Sequence, residues 1–376
     1  MPKFESRKCI TPTHISIMPG QISLKKTDNQ NVYIGLDVHL KQWNVSIIQG
    51  GVKRKSFQQS PCVTALLNHL RKNYPGYKYF SAYEAGVCGY SIHYSLERAG
   101  IKNIVINGAD VSKSSKDRVR KTDSLDAAKI ATELSQGNLR CIYIPDETQV
   151  EDRSLLRTRQ MLVSDIKRWK CRIRHYLHVN GIDIPEAYKG GQWPLGFFEW
   201  LLGECCEGLS QPASDSLKEM VVSLKTAIER HKIIERKILS LMNGDRYRKN
   251  YELLQSVPGV GKVTAFSILL ECGDLSAFSS ADRFCAFLGL IPDMNQSDEH
   301  MAKCDMTRRR HKTLRYMLTE CVNRAIQDYP EIGKTYARYC HRMHKNKAKV
   351  KIAHKLAKCI KFVIKNQKAY DPSKWT

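Results

Sequence analysis

The sequence lacks any apolar run long enough to cross a membrane. No stretch approaches 18 consecutive apolar residues, and the first twenty residues lack the long apolar segment of a secretory signal. We therefore expect a soluble protein of the cytoplasm. The chain has 376 residues, of which 42% are hydrophobic and 26% charged. That composition is typical of globular proteins, and the length predicts two or more domains.

Paired cysteine motifs are also missing. Thirteen cysteines are scattered along the chain without a Cys-x-x-Cys pair, and Cys205 and Cys206 are adjacent. The odd number and the irregular spacing argue against a disulfide framework and against a structural zinc site. We expect buried, reduced thiols.

Acidic residues are scarce relative to basic ones. There are 61 Lys and Arg against 37 Asp and Glu, which gives a formal net charge of +24. The excess is greatest in residues 301–376, where 20 Lys and Arg stand against 5 Asp and Glu, a net charge of +15. A field of this sign attracts polyanions, so we expect a nucleic-acid partner, the alternative being a merely basic, solvated surface.

The hydrophobic pattern predicts a mixed α/β layer in the first part of the chain. Short β-rich runs at 32–38, 43–48 and 52–57, with Gly50-Gly51 between the last two, indicate an antiparallel meander. Helices and strands then alternate. The predicted helices are 63–73, 90–98 and 123–136, and the predicted strands are 79–83, 103–106 and an edge strand at 139–144.

The remaining residues read as helical. We predict an N-terminal extension over 1–30, the α/β domain over 31–147, a helical region over 148–248 and a helical C-terminal domain over 249–376. Within the third segment, residues 148–180 and 214–243 have helical periodicity and could pair as a helical hairpin or coiled coil. A Gly-, Pro- and Trp-containing stretch near 185–212 is expected to be a compact insertion between them.

Four carboxylates stand where a metal-dependent nuclease would need them. Asp37 ends the first strand, Glu84 ends the fourth, and Asp123 and Asp126 share one face of a helix at i,i+3 spacing. Together they could hold two divalent cations that clamp the attacking and leaving oxygens of a phosphodiester. Taken singly, these residues could instead be a turn residue, a helix N-cap or an ion-pair partner. His39 is expected to support the site rather than to bind metal.

Basic and glycine-rich segments supply candidate phosphate contacts. The pattern of residues 253–269 predicts two helices joined by Pro258-Gly-Val-Gly261. This arrangement is similar to a helix-hairpin-helix, in which backbone amides at the start of the second helix bind phosphate. The alternatives are a tight structural turn for the glycines and a solvated face for the cations. The candidate residues are Lys113, Lys116, Arg118, Arg120 and Lys121 before the acidic helix, Gly259, Gly261 and Lys262 at the turn, and Arg342, Lys347, Lys349 and Lys351 near the C-terminus.

A serine and a cluster of arginines follow the glycine turn. Ser297 lies in a polar segment, and Arg308, Arg309 and Arg310 come about ten residues later. A serine beside clustered cations can attack a phosphodiester, with the cations stabilising the developing charge. The alternative is a capping or solvated serine.

These motifs together resemble the DEDD transposases of the IS110 (IS116/IS110/IS902) insertion-sequence group, which includes the Piv site-specific DNA invertases. The resemblance extends from residue 32 to about residue 372. It rests on Ile34-Gly-Leu-Asp-Val-His39, Tyr83-Glu-Ala-Gly86, Arg120-Lys-Thr-Asp-Ser-Leu-Asp-Ala-Ala128, Ser256-Val-Pro-Gly-Val-Gly261, Phe287-Leu-Gly-Leu-Ile-Pro292, Leu314-Arg315, Ala353-His-Lys-Leu-Ala-Lys358 and Tyr370-Asp-Pro372.

The resemblance implies an N-terminal domain similar to the junction resolvase RuvC, with an RNase H-like fold. It implies that Asp37, Glu84, Asp123 and Asp126 bind Mg²⁺ or Mn²⁺ and that Ser297 is the nucleophile. The implied partners are DNA at the element ends and target, a structured noncoding guide RNA, and further copies of the chain, paired through the coiled coil as a dimer or tetramer. The implied location is a bacterial or archaeal cytoplasm, at the nucleoid.

The sequence departs from the family pattern at two places. Asp298 follows the serine where the family has glycine, and Arg308-Arg-Arg-His311 stands where the family has Lys-x-Gly-Asn. We expect a transposase or recombinase that cuts and rejoins DNA. The alternatives are a site-specific invertase, a metal-only junction resolvase that needs no serine, and a non-catalytic nucleic-acid-binding derivative.

Overall fold

Residues 30–108, 123–291 and 311–375 are described by a computed structural model of the protein. They form two units, an N-terminal unit that ends at Pro145 and a C-terminal unit that begins at Asp146. The two differ in class, because the first contains the sheet and the second is helical in the described residues.

The N-terminal unit contains a mixed five-stranded sheet in the order β3-β2-β1-β4-β5. Strands β1, β2 and β3 are antiparallel, whereas β4 pairs parallel with β1 and β5 pairs parallel with β4. Gly50 and Gly51 both have positive φ, 60° and 77°, as the two-residue hairpin between β2 and β3 requires. The strands are β1 Asn31–Val38, β2 Trp43–Gln49, β3 Val52–Gln59, β4 Lys78–Glu84 and β5 Lys102–Ile106.

Three helices among the described residues of this unit cover the two faces of the sheet. They are α1 Val63–Asn73, α2 Ser91–Arg98 and α3 Asp123–Ser135. Leu66 of α1 and Leu96 of α2 pack on one face, and Ile130 of α3 packs on the other. Because strand side chains alternate between faces, each face of β1 buries its own apolar set.

The predicted edge strand at 139–144 does not form. This segment makes a single bridge, between Ile106 and Cys141, beside a hydrogen bond from the Ile142 amide to the Val105 carbonyl at 2.9 Å. Leu139 packs with the α3 face of the sheet, whereas Ile142 packs with the opposite face. The alternation of apolar residues that predicted a strand is present, but a strand also needs a run of paired backbone groups, and this segment has one bridge to β5.

Ten α-helices make up most of the described part of the C-terminal unit. Helices α4 and α7 pack antiparallel, as the helical hairpin requires, and the coiled coil stays a prediction. The Tyr176 hydroxyl near the end of α4 donates to the Ala213 carbonyl near the start of α7 at 2.8 Å. Phe197 and Leu201 of the insertion pack against this pair. The helices are α4 Glu147–Val179, α5 Leu195–Leu202, α6 Glu204–Glu207, α7 Gln211–Met242, α8 Arg248–Gln255, α9 Lys262–Cys272, α10 Ala281–Leu288, α11 Lys312–Asp328, α12 Pro330–Cys340 and α13 Lys345–Asn366.

The helical pair and the C-terminal helices share one apolar core. Leu156 of α4 and Ile238 of α7 are buried in the same cluster as Leu254, Phe266 and Leu356. The predicted domain boundary between residues 248 and 249 lies inside this unit, and it stays a prediction.

The expectation of buried, reduced thiols is met in part. Each cysteine in the described part of the chain is a free thiol, but only five of these eleven are buried. No helix among the described residues is long and apolar enough to span a membrane.

Candidate active site

Strand register brings two of the predicted acids to the same level of the sheet. The parallel pairing of β1 with β4 places Leu36 opposite Tyr83. The next residues, Asp37 and Glu84, therefore leave neighbouring strands side by side. This is the arrangement that the sequence reasoning assumed but could not derive, because the order of strands is a tertiary property.

Both acids belong to the face of the sheet that α3 covers. The rings of Tyr33 and Phe80 stack on that face at a centroid distance of 5.7 Å, next to Ile130 of α3. Residues an even number of positions along a strand share a face. Position 37 therefore lies on the same face as Tyr33, and position 84 on the same face as Phe80.

A glycine allows α3 to lie directly on β1. A Cβ atom at Gly35 would stand 2.0 Å from the Ala127 carbonyl oxygen and 2.5 Å from the Ala131 nitrogen, both in the backbone of α3. Real Cβ contacts are never this short, so a larger residue would push the helix off the sheet. The motif that contains Gly35 did not predict this contact. A glycine inside a strand often marks a close approach of another backbone, and this was the feature of the sequence that could have indicated it.

Helix α3 meets β1 at Gly35, against the backbone of Ala127 and Ala131. Gly35 lies two residues before Asp37 in β1, and Ala127 lies one residue after Asp126 and four after Asp123. The acids of β1 and α3 are therefore close in sequence to the point where the helix contacts the strand.

The remaining acids and their basic neighbours are described in part. Asp126 is half-buried and precedes the alanine that contacts β1. Asp123 is the first residue of α3, and its side chain is outside the described structure. The predicted phosphate contacts Lys113, Lys116, Arg118, Arg120 and Lys121 also fall outside the described residues.

His39, which follows β1, and Asn44 of β2 contact the carboxylate of Asp37. His39 Nε2 lies 3.1 Å from Asp37 Oδ2, and the amide Nδ2 of Asn44 donates to the same oxygen at 3.4 Å. This matches the expected supporting role of His39. Asn44 was not predicted. Its signal was a polar residue in an apolar strand, and the antiparallel register places it directly opposite Asp37.

A second glycine makes room for Glu84. A Cβ atom at Gly108 would lie 2.2 Å from Oε2 of Glu84. Gly108 lies two residues beyond Ile106, the residue of β5 that pairs with Glu84. A side chain at this position would displace the carboxylate. We define the acidic edge as Asp37, Glu84 and Asp126 together with the start of α3.

The acidic edge has the ligand chemistry of a hard-cation site. Carboxylate oxygens are the donors that Mg²⁺ and Mn²⁺ prefer. Within residues 30–108, 123–291 and 311–375, no three His, Cys, Asp or Glu side chains lie close enough to one another to hold a metal ion. The side chain of Asp123, the fourth predicted ligand, is not among those described.

In the C-terminal unit, the predicted glycine turn forms between α8 and α9, and its two glycines differ. Gly259 has φ +74°, and a Cβ atom there would lie 2.1 Å from the Cys321 carbonyl oxygen of α11. Gly259 therefore has a packing role. Gly261, the N-cap of α9, has open space around its Cα, and Lys262 beside it is exposed. These two remain accessible for the predicted phosphate contact.

His311 is the first described residue after the serine segment. Ser297, Arg308, Arg309 and Arg310 lie outside the described residues. His311 follows them; its amide donates to the Phe287 carbonyl at 3.0 Å, and its Nε2 lies 3.6 Å from Oε2 of Glu271. Burial acts to raise the pKa of Glu271, but His311 and Arg153 outweigh it, so the pKa is lowered and the carboxylate stays charged.

The C-terminal cations lie near and along α13. Arg342, Lys347 and Lys351 are exposed and Lys349 is half-buried, while Leu356 and other apolar residues of the same helix are buried. The Lys351 ammonium lies 5.3 Å from the centre of the Tyr339 ring. The candidate phosphate contacts Lys347 and Lys351 therefore lie on the outer side of a packed helix, and their contact with nucleic acid stays a prediction.

Two family models match the chain. One, for DEDD enzymes of the IS110 type and described as "Transposase", matches residues 34–180. The other, described as "Transposase IS116/IS110/IS902 family", matches residues 251–337. Transposases are enzymes that cut DNA and transfer its strands, which is the class that the acidic edge and the basic C-terminal unit fit.

Curated relatives agree with the models. The y4qE protein of Sinorhizobium fredii is 24% identical over 326 residues, which is 82% of this chain and 75% of the relative. The transposase for insertion sequence element IS1533 of Leptospira borgpetersenii is 23% identical over 65% of this chain and 70% of its own length. The transposase for IS1111A of Coxiella burnetii is 24% identical over 66% and 68%. The chain belongs to the IS116/IS110/IS902 family of transposases.

Proposed function

We propose that this transposase cuts and rejoins DNA at the acidic edge of an RuvC-like, RNase H-like N-terminal unit. The observation that carries the proposal is the register of β1 with β4, which sets Asp37 beside Glu84 on the face of the sheet that α3 covers. Carboxylates at the ends of neighbouring strands offer the oxygen ligands that a divalent cation binds. The mixed sheet with a helix over its acidic face supports the fold assignment.

Asp37, Glu84, Asp123 and Asp126 would hold Mg²⁺ or Mn²⁺. When bound, these ions supply charge that activates the attacking oxygen and stabilises the leaving oxygen of the phosphodiester. His39 and Asn44 orient Asp37 by contacting one of its oxygens, which leaves the other oxygen available. Gly108 keeps the space next to Glu84 clear.

We propose that Ser297 is the nucleophile, on the strength of the family pattern. A bond from its Oγ to phosphorus forms as the bond from phosphorus to the departing strand oxygen breaks, and the serine proton passes to solvent or to a base. The covalent link conserves bond energy for rejoining. Arg308, Arg309 and Arg310 would balance the negative charge of the transition state.

The partners follow from charge and exposed surface. The net charge of +15 over residues 301–376 supports binding of element ends and target DNA, and of a structured noncoding guide RNA. Met161, Val163, Val222 and Ile233 expose apolar surface on α4 and α7, which supports pairing of these helices between copies of the chain in a dimer or tetramer. A site-specific invertase would use the same chemistry on DNA in a different arrangement.

The metal proposal is tested by calorimetric titration of Mn²⁺ into the intact chain. Wild type should bind Mn²⁺, and Asp37→Asn should bind it at least about tenfold more weakly because a charged ligand is lost. Glu133→Gln is the matched control, since it removes the same charge from α3 away from its first turn. Equal Mn²⁺ affinity of wild type and Asp37→Asn, or full DNA cleavage in excess chelator, would contradict the proposal.

The serine proposal is tested by trapping. A nicked suicide DNA should capture a covalent protein–DNA adduct, which mass spectrometry should map to the peptide that contains Ser297. Ser297→Ala should abolish the adduct. Attachment at Ser279 or Ser280, or cleavage that survives Ser297→Ala, would overturn the assignment and favour the metal-only resolvase mechanism.

A further inference from the structure

An open groove of about 850 Å³ lies in the C-terminal unit, between α13 and the segment from Ser276 to Ala281. Its walls are unusually aromatic for a surface feature. Phe278, Phe362, Tyr370 and Trp375 all line it. Phe362 is 51% exposed, although the residues on either side of it in α13 are buried. No residue of the acidic edge is among the described residues that line this groove.

The walls of the groove are held in place by buried polar contacts. The Lys361 side chain is buried, and its ammonium donates to the carbonyl oxygens of Leu275 and Phe278, which fastens one wall to α13. The Trp375 indole Nε1 donates to Thr335 Oγ1 at 3.1 Å. The aromatic surfaces are therefore set before any partner binds, which lowers the entropy cost of binding.

Cations surround these aromatic surfaces. Lys355, Lys358 and Lys365 line the groove, and Asp371 is the one carboxylate among its described lining residues. Lys358 is partly neutralised by Asp282, at 3.0 Å. The Lys355 ammonium lies 5.4 Å from the centre of the Trp375 ring. The net charge of the groove is therefore positive, and its complement is a polyanion that also carries flat apolar groups.

We propose that this groove binds an unpaired strand of DNA, with bases stacked on Phe362 and Trp375 and phosphates against Lys355 and Lys365. Stacking platforms combined with a basic groove are how proteins hold single strands without reading sequence. A duplex cannot use the aromatic floor, because its bases are stacked inside. This inference rests on the proposed function, since cutting and rejoining DNA exposes unpaired strands near the enzyme.

The experiment is fluorescence anisotropy of a labelled oligothymidine with the intact chain in chelator, so that no cleavage occurs. Phe362→Ala should weaken binding of the single strand by roughly 5- to 100-fold, the usual cost of one lost stacking contact. Phe362→Trp should retain binding. Tyr316→Ala is the matched control, because Tyr316 is an exposed aromatic, 65% accessible, on α11 and outside the groove.

Salt dependence separates stacking from charge. Phe362→Ala should leave the slope of log affinity against log salt unchanged, whereas Lys365→Ala should reduce it by about 0.7, one phosphate contact on a single strand. A duplex of the same sequence should bind wild type and Phe362→Ala equally. Because binding is measured without metal, failure of the acidic edge in cleavage assays would not alter this result.

Three outcomes would overturn the proposal. One is single-strand affinity that is unchanged in Phe362→Ala. Another is an equal loss of affinity for the duplex, which would indicate a general structural effect. The third is tighter binding of the matching single-stranded RNA, lost in Phe362→Ala, which would assign the groove to RNA instead of DNA.

Discussion

The acidic edge and the outer side of α13 both present charge, and they do so in opposite ways. At the acidic edge, Asp37 and Glu84 are placed by the register of two strands, and glycines admit the neighbouring groups. Along α13, cations such as Lys347 and Lys351 stand on an exposed helical surface. Metal binding by converging carboxylates is lost when one of them is removed. Binding of a polyanion by many separate cations is weakened only slightly when one cation is removed.

The two units are alike in one respect. In each unit a glycine allows a helix backbone to pack closely against another element, because glycine has no Cβ atom. Gly35 contacts the backbone of α3, and Gly259 contacts the backbone of α11. In the N-terminal unit this approach positions an acid, and in the C-terminal unit it packs the core. The same device therefore serves a site in one unit and stability in the other.

The largest expected effect tests convergence at the acidic edge. Asp126→Asn should reduce DNA strand cleavage by roughly a thousandfold or more, because a ligand that helps provide several kcal/mol of transition-state stabilisation is lost. Its half-buried position means that the fold should survive. The check is a cleavage rate on supercoiled element DNA together with a thermal melt. A decrease in cleavage rate of less than tenfold would show that the acidic edge, like the cations along α13, does not depend on one residue.

The next effect tests the glycines. Gly259→Ala should lower the free energy of unfolding by about 3 kcal/mol or more, because its Cβ would overlap the Cys321 carbonyl and its φ of +74° disfavours a side chain. Gly35→Ala should cost about as much through the contact with Ala127. Gly261→Ala, with open space and ordinary φ, is the control and should change stability by under about 1 kcal/mol. Urea unfolding measures all three, and equal effects at Gly259 and Gly261 would contradict this account.

A smaller effect is expected on the basic helix. Lys347→Ala should weaken DNA binding only a few-fold and reduce the salt slope by about 0.9, the value for one phosphate contact on a duplex. Lys347→Arg keeps the charge and should leave the slope unchanged. Filter binding over a salt series would provide the measurement. A loss of several decades from this one substitution would show that the cations converge on a single point as the acids do.

The smallest effect concerns pH and a buried histidine in the N-terminal unit. Burial lowers the pKa of His93, whose Nδ1 lies 2.9 Å from the Asn103 side-chain amide. In the unfolded chain its pKa is about 6.5. As pH falls below about 6.5, the unfolded state gains a proton that the folded state does not, so stability decreases toward the folded pKa by at most about 1.4 kcal/mol per pH unit. Urea unfolding at pH 7.5 and 5.5 should show a smaller decrease in His93→Gln. An identical decrease would assign the pH dependence to other groups.

Most element boundaries could be predicted because the signals for them are local. Gly50-Gly51 marks a hairpin, and a short apolar run rich in β-branched residues marks β1, so most predicted and observed ends differ by at most two residues. The predicted strand at 139–144 was wrong. Its apolar residues do pack on both faces of the sheet, but its backbone makes only one bridge to β5, and backbone pairing is a tertiary property that no local signal records.

The sequence by itself determined which residue types are present and in what order along the chain: four spaced acids, a glycine turn, a serine segment and a basic tail. Tertiary structure alone decided which of them meet. Asp37 and Glu84 are 47 positions apart, and only the parallel pairing of β1 with β4 makes them neighbours. Asn44 gained its role through antiparallel register, and the aromatic groove formed because Lys361 joins α13 to a distant turn. Local propensity acts over a few residues, whereas register and packing are set by the burial of whole faces.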